Sequence, residues 1–322
     1  MKYLIFIIIL ALVSSLFLVS SVNALTISPV RFEIEGDPGT TLVGEIELFN
    51  EQPVVRTFYS SFANFEARGE GGEPHFLPGE EGLAGWMDTE YDQVVLELGE
   101  RKIVPFTITI PVDANPGGHF AAIFWGTTPP HPEGEGVVIG AKVGTLILLG
   151  VKGEIKEGGG ILEFGTEERI FTSLPITFFY RFANDGGDRV MLKGEMKIRN
   201  IFGRKTIAMD ANPVLGNVLP GSVRRFEVIW GEPLVDDLGF WGMIRHQWQN
   251  FAFGMYTANL NLFWGENMST QAVHRFFVIP WQLLSVIIII FIIIGLFGFI
   301  GIKKYNHWII AKAKASEADT KT

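Results

Sequence analysis

The raw material for chemistry in this 322-residue chain is six histidines, thirty-five carboxylates and no cysteine. One histidine stands in a suggestive setting: His119, in "NPGGHFAAIFWG" at 115–126. Two glycines ahead of it suit a loop wrapped around a ligand or metal, whereas the apolar run behind it suits a β-strand. The remaining histidines, His75, His131, His246, His274 and His307, show neither the H-x-H nor the H-x-x-x-H spacing that builds a metal site. No G-x-S-x-G elbow, P-loop or H-E-x-x-H is present, and a chain without cysteine has no thiol nucleophile. A glycosidase pair could be drawn from so many acids, but it needs a deep cleft between its carboxylates. The expectation is a protein without catalysis, cofactor or metal.

The elements that would position such residues start at the ends. "MKYLIFIIILALVSSLFLVSSVNA" has one early lysine, a long apolar run, no acid, and a close on Val22-Asn23-Ala24. That is a signal peptide, residues 1–24; the serines from Ser14 onward favour cleavage over retention as an anchor. "WQLLSVIIIIFIIIGLFGFIGI", Trp281 to Ile302, carries no charge. At its length it reaches about 33 Å as a helix, enough to cross a hydrocarbon core. Pro280 precedes it and Lys303-Lys304 follow, so residues 280–302 are read as a transmembrane helix and 303–322 as a cytoplasmic tail. The expected protein is single-pass in the cell membrane, with its N-terminal bulk outside.

The exterior, 25–279, suits two domains in size. It holds thirty-three acids against twenty basic residues, about −13, which argues against nucleic acid or anionic lipid as its partner. Its pattern is alternating. "KIVPFTITIP" sets Val104, Phe106, Ile108 and Ile110 on one face, and "RRFEVIW" sets Phe226, Val228 and Trp230 against Arg225 and Glu227. Turn chemistry lies between such runs, at Asp37-Pro38-Gly39, Asn115-Pro116-Gly117 and Leu219-Pro220-Gly221-Ser222. The fold class predicted is all-β outside: two tandem immunoglobulin-like β-sandwiches, 25–150 and 151–279, and one C-terminal transmembrane helix.

An internal repeat supports the pair. "GGHFAAIFWG" is matched by "FGMYTANLNLFWG" at 253–265: both hold Gly-x-aromatic-x-Ala and both end Phe-Trp-Gly. Upstream, each copy has a strand closing on asparagine, Asn50 and Asn184. In this alignment His119 takes the slot of Met255, which cannot transfer protons, so His119 is read as a structural residue at the start of a strand.

"LTISPVRFEIEGDPGTTLVGEIELFNEQ", "IVPFTITIPVDANPGGHFAAIFWG" and "GNVLPGSVRRFEVIW" together resemble the WxL-interacting protein family of bacterial surface proteins. The resemblance runs over nearly the whole chain in order. It implies a peptidoglycan-binding-like first domain, a second immunoglobulin-like domain and a membrane anchor. It further implies attachment to cell-wall glycan and surface proteins without catalysis, and the family has no catalytic residues to carry over.

Each copy is enlarged in one place. The stretch 64–93 in the first holds eight acids and only Arg68, and is most simply a solvated loop. Within it Trp86 and Tyr91 are candidate stacking platforms for sugar or a partner, unless "AGWMD" plugs the sandwich edge. An EF-hand's aspartate-glycine order is absent. The second copy has an insertion at 231–253, with Trp241, Ile244, Trp248 and Phe251 at helical spacing. The expected helix packs that face on the open end of the sandwich, with an interfacial helix on the membrane as the alternative. The function read from all this is non-catalytic binding of cell-wall glycan or envelope proteins. The alternative is a subunit of a membrane assembly that docks through its anchor and Trp-rich insertion.

Overall fold

The computed structural model describes residues 25–77, 79, 81–129, 141–234, 238–265 and 267–319. The expected signal peptide therefore lies outside the described residues. Two compact units form. One holds the described chain up to Gly158 with Asn184–Arg189 and Leu219–Ser222; the other holds Gly159–Ala183, Val190–Val218 and the chain from Val223 onward.

The first unit is a β-sandwich. One sheet has the order β1 (Leu25–Ser28), β3 (Thr41–Asn50), β8 (Arg101–Thr109), β6 (Met87–Thr89). The other runs β2 (Arg31–Gly36), β10 (Lys142–Val151), β9 (Gly117–Gly126), β4 (Arg56–Arg68), β5 (Glu73–Leu77), with β7 (Gln93–Leu96) also on β4. Among the described strands of this unit only β2 and β10 pair in parallel; the other ladders are antiparallel. Because side chains alternate along a strand, each strand donates every second residue to the space between the sheets. Ile46, Leu48, Val104, Phe106, Ile108, Ala121, Ile123, Trp125, Ile147 and Leu149 fill it. Gly144 is required on the far face of β10: a Cβ there would lie 2.6 Å from the Phe124 ring that covers it.

The second unit repeats the plan. A sheet β11 (Gly159–Thr166), β13 (Ile176–Asn184), β18 (Val223–Trp230) faces a sheet β12 (Ile170–Phe171), β20 (Met268–Val278), β19 (Gly254–Trp264), β15 (Lys193–Asn200), β16 (Lys205–Asp210). Again the short edge strand, β12, pairs in parallel with the last strand, β20. A two-stranded ribbon, β14 (Val190–Met191) with β17 (Asn217–Val218), completes it. The core is more aromatic: Phe178, Tyr180, Phe182, Phe226, Trp230, Tyr256, Trp264 and Phe276. Tyr180 buries its hydroxyl by donating to the Ala211 carbonyl at 2.9 Å, and burial pushes its pKa well up.

Two helices belong to this unit, α1 (Gly239–Gln249) and α2 (Trp281–Asp319). From Trp281 to Ile309, α2 is long and apolar enough to cross a membrane, its most apolar eighteen-residue stretch having a mean hydropathy of 3.2. Its helix does not end at the double lysine but runs on to Asp319. The tail it continues through is rich in alanine and lysine, both good helix formers.

Candidate functional site

The two enlargements seen in the sequence hold the candidate residues, and the structure treats them in opposite ways. In the first unit the stretch 64–93 is not a solvated loop. Its start closes a hairpin, with β5 paired to β4 from Asn64↔Leu77 to Arg68↔Glu73. A short 3-10 helix, Gly82–Trp86, then drives Leu83 and Ala84 into the core at 1% and 3% exposure, and Met87 follows them. Asn64 fixes this turn by accepting from the Ala84 amide at 2.9 Å and donating to the Glu81 carbonyl. The described acids of this stretch stay at the surface while Leu83, Ala84 and Met87 plug the sandwich.

Trp86 is half-buried at the end of that turn, its ring 4.7 Å from the imidazole of His119. His119 Nε2 lies 2.9 Å from the Asn115 carbonyl oxygen. Tyr91 is exposed, but the Lys102 ammonium sits 4.6 Å over its ring, and a hydrogen bond with Glu90 raises the pKa of its hydroxyl. Trp86 and Tyr91 are thus on the same unit but each already has a partner ring or cation. Neither offers two bare faces to a sugar.

The equivalence of His119 and Met255 does not hold. Both β9 and β19 pair without a register break. Trp125 and Trp264 both point into their cores, so they are the true counterparts. Counting back in twos places His119 on the core-side face with Ala258 as its counterpart, while Met255 falls on the outer face of β19.

In the second unit the insertion does form a helix, but its aromatic face does not pack on the sandwich. Trp241 is 75% exposed, Trp248 69% and Phe251 59%, and the one buried residue of α1 is Gln247. The polar face is what docks. Gln247 Nε2 donates to the Thr172 carbonyl at 3.1 Å and to Gln282 Oε1, and Gln247 Oε1 accepts the amide of Leu283 at 3.0 Å. His246 Nε2 lies 2.8 Å from the Leu174 carbonyl oxygen. The free amides at the start of α2 need acceptors, and a glutamine supplies one where an apolar side chain cannot. Trp241 and Trp248 therefore share one open stripe with Arg245 between them.

Several polar residues that carry structure had no clear signal in the sequence beyond the two asparagines. Asn50 and Asn184 are fully buried and make the same staple. Each accepts from an amide two residues on, Gln52 or Gly186, and takes a backbone bond from the glycine of the turn that leads into its antiparallel partner strand, Gly99 ahead of β8 or Gly221 ahead of β18. His274 on β20 bonds Thr166 Oγ1 at 2.9 Å and stacks on Phe276. Burial, and then the Arg169 charge, hold its pKa below the ordinary histidine value. Among the described residues no group of three or more His, Cys, Asp or Glu is placed to hold a metal.

No protein-family model matches the chain, and no curated protein matches it. Among solved structures, the class 5 fimbrial chaperone CfaA is 12% identical, with 78% of this chain and 99% of that chain covered and a TM-score of 0.37. A complex of the Salmonella enterica SafA pilin with the SafB chaperone is 10% identical, over 79% and 98% of the two chains, with a TM-score of 0.34. The E. coli chaperone DraB is 9% identical, over 78% and 95%, with a TM-score of 0.34. At such scores these likenesses carry no argument, and the β-sandwich assignment rests on the strand pairing itself.

Proposed function

We propose that this chain is a non-catalytic binding protein of the cell envelope, anchored by α2 with both sandwiches outside. The observation that carries the reading is the junction at the root of α2. Only Ile279 and Pro280 separate β20 from α2, and the Ile279 amide is itself bonded to the Phe171 carbonyl at 2.8 Å. A sandwich mounted without a linker is suited to holding a surface at fixed height, which a binding or scaffolding part needs. The resemblance to the WxL-interacting protein family points the same way. Of the partners it implies, an envelope protein fits the side chains better than wall glycan, since Trp86 and Tyr91 are already engaged.

The test uses the full chain in nanodiscs, offered purified wall glycan and, separately, detergent-extracted envelope proteins. Specific retention of an envelope protein supports the reading, and retention of glycan alone would move the partner to the wall. Turnover of a glycan or peptide substrate would overturn the non-catalytic assignment. The alternative, a subunit of a membrane assembly, is favoured by one observation, the outward aromatic face of α1.

A further inference from the structure

Helices on protein surfaces ordinarily turn their apolar stripe inward and their polar stripe to water. The helix α1 is reversed. Its inward contacts are the hydrogen bonds of His246 and Gln247, and its outward stripe is Trp241, Arg245 and Trp248, continued by Phe251 and Phe253. Four large rings, Trp241, Trp248, Phe251 and Phe253, stand exposed within thirteen residues of chain, an apolar exposure that a water-facing domain rarely keeps.

Three observations name what covers it. First, the patch is continuous with the root of α2: the Phe240 ring packs against Trp241 at 5.4 Å and lies 6.4 Å from Trp281, the first residue of α2. Gln247 ties α1 to the first turn of α2 through Gln282 and the Leu283 amide. The stripe is therefore held level with the point where α2 enters its apolar run. Second, the residue types are those of a membrane boundary, where Trp sits with its ring at headgroup level and Arg faces the phosphates. Third, charge changes sign along the chain. The exterior is strongly acidic, yet from Gly239 to Ile302 there is a single carboxylate, Glu266, against Arg245 and Arg275. An acidic domain is repelled by anionic lipid, and this stretch removes that repulsion where the surface is nearest.

We propose that the outward face of α1, with Trp241, Trp248, Phe251 and Trp281, docks into the headgroup–acyl boundary of the same bilayer that α2 crosses. The helix then works as a foot. It lies in the membrane plane at an angle to α2, and the two together fix the tilt of the second sandwich, which a single spanning helix leaves free. The inference rests on reading α2 as a membrane span, so the experiment must report the two separately.

The chain has no cysteine, so single cysteines can be labelled cleanly. Full-length protein carrying Trp241→Cys, Trp248→Cys, Ile293→Cys or Thr26→Cys is labelled with an environment-sensitive fluorophore. Each is reconstituted into vesicles of phosphatidylcholine and phosphatidylglycerol, with a nitroxide either near the acyl carbonyls or deep in the chains. A face lying about 5–10 Å into the boundary places labels at 241 and 248 within reach of the shallow nitroxide. The expected result is strong shallow quenching at both, deep quenching at 293 and none at 26. Quenching at 293 with labels 241 and 248 behaving like 26 would overturn the foot while leaving the span intact. No quenching at 293 would remove the span, and the inference with it. Labels at 241 and 248 shielded from water but unquenched by lipid would also overturn it, because a protein would then be the occupant.

Discussion

The chain carries two tryptophan-bearing insertions, and they end in opposite environments. At Gly82–Met87 the chain sends Leu83, Ala84 and Met87 into a core and leaves the flanking carboxylates of Glu81 and Asp88 outside. At Gly239–Phe253 it sends Gln247 inward and leaves Trp241, Trp248 and Phe251 outside. Burial of aliphatic groups decides the first case, at roughly 25 cal/mol per Å². In the second, the amides at the start of α2 require a polar neighbour, and that requirement fixes which face turns in. Apolar content alone does not say which way an insertion points; the unmet hydrogen bonds of its neighbours do.

The contrast can be broken or sharpened by substitution. The largest effect belongs to the plug: Leu83→Ala should cost about 2–5 kcal/mol in denaturant unfolding of the first sandwich. A change under half of that would mean the turn is not part of the core. Next is Gln247→Ala, which strips the Leu283 amide of its acceptor and should cost about 1–3 kcal/mol in the second sandwich. Gln247→Met, which keeps the volume, should recover little of the loss; full recovery would show that packing and not hydrogen bonding holds α1.

A smaller effect separates the second sandwich by pH. The folded pKa of His274 lies below its unfolded value of about 6.5. In the window between those two values the unfolded chain binds more protons, so stability is complete above the unfolded pKa and falls as pH drops through it. His274→Gln should flatten that slope in unfolding curves taken from about pH 7.5 to 5.5; an unchanged slope would assign it to another group. The smallest effect is at the foot. Trp248→Ala should shift unfolding of the sandwich by no more than about 0.5 kcal/mol. A loss of several times that would show the ring packs on the protein and restore the ordinary amphipathic orientation.

Much of the fold is legible in the sequence. The alternation that picks out Val104, Phe106 and Ile108, or Phe226, Val228 and Trp230, is the alternation found buried in the two cores. Those strands have one wet face and one dry face, and a period of two reports that directly. The orientation of α1 is not legible, because helical spacing shows that an apolar stripe exists and not where it points. Gln247 acquires its role from Thr172 and Leu283, far away in sequence. The false pairing of His119 with Met255 has a different origin, and the sequence held the warning. From the glycine to the tryptophan is seven positions in Gly118–Trp125 and ten in Gly254–Trp264. An odd difference between two unbroken strands exchanges their faces. Trp86 and Tyr91 could be named as rings in an acidic stretch, but only tertiary structure sets His119 beside one and Lys102 over the other.

The pairing of β19 with β20 has a mechanical consequence. The two strands stay in register over eleven residues, from Gly254↔Val278 to Trp264↔Met268, and β20 runs into α2 after two residues. Tension arriving through α2 is drawn along the axis of β20. Antiparallel ladder bonds lie perpendicular to their strands, so such a pull loads many of them together in shear, where a pull across the strands would peel them one at a time. The parallel strand β12 shares the load on the other side. A tug between α2 and the second sandwich is thus met by a ladder that must shear as a whole and not unzip.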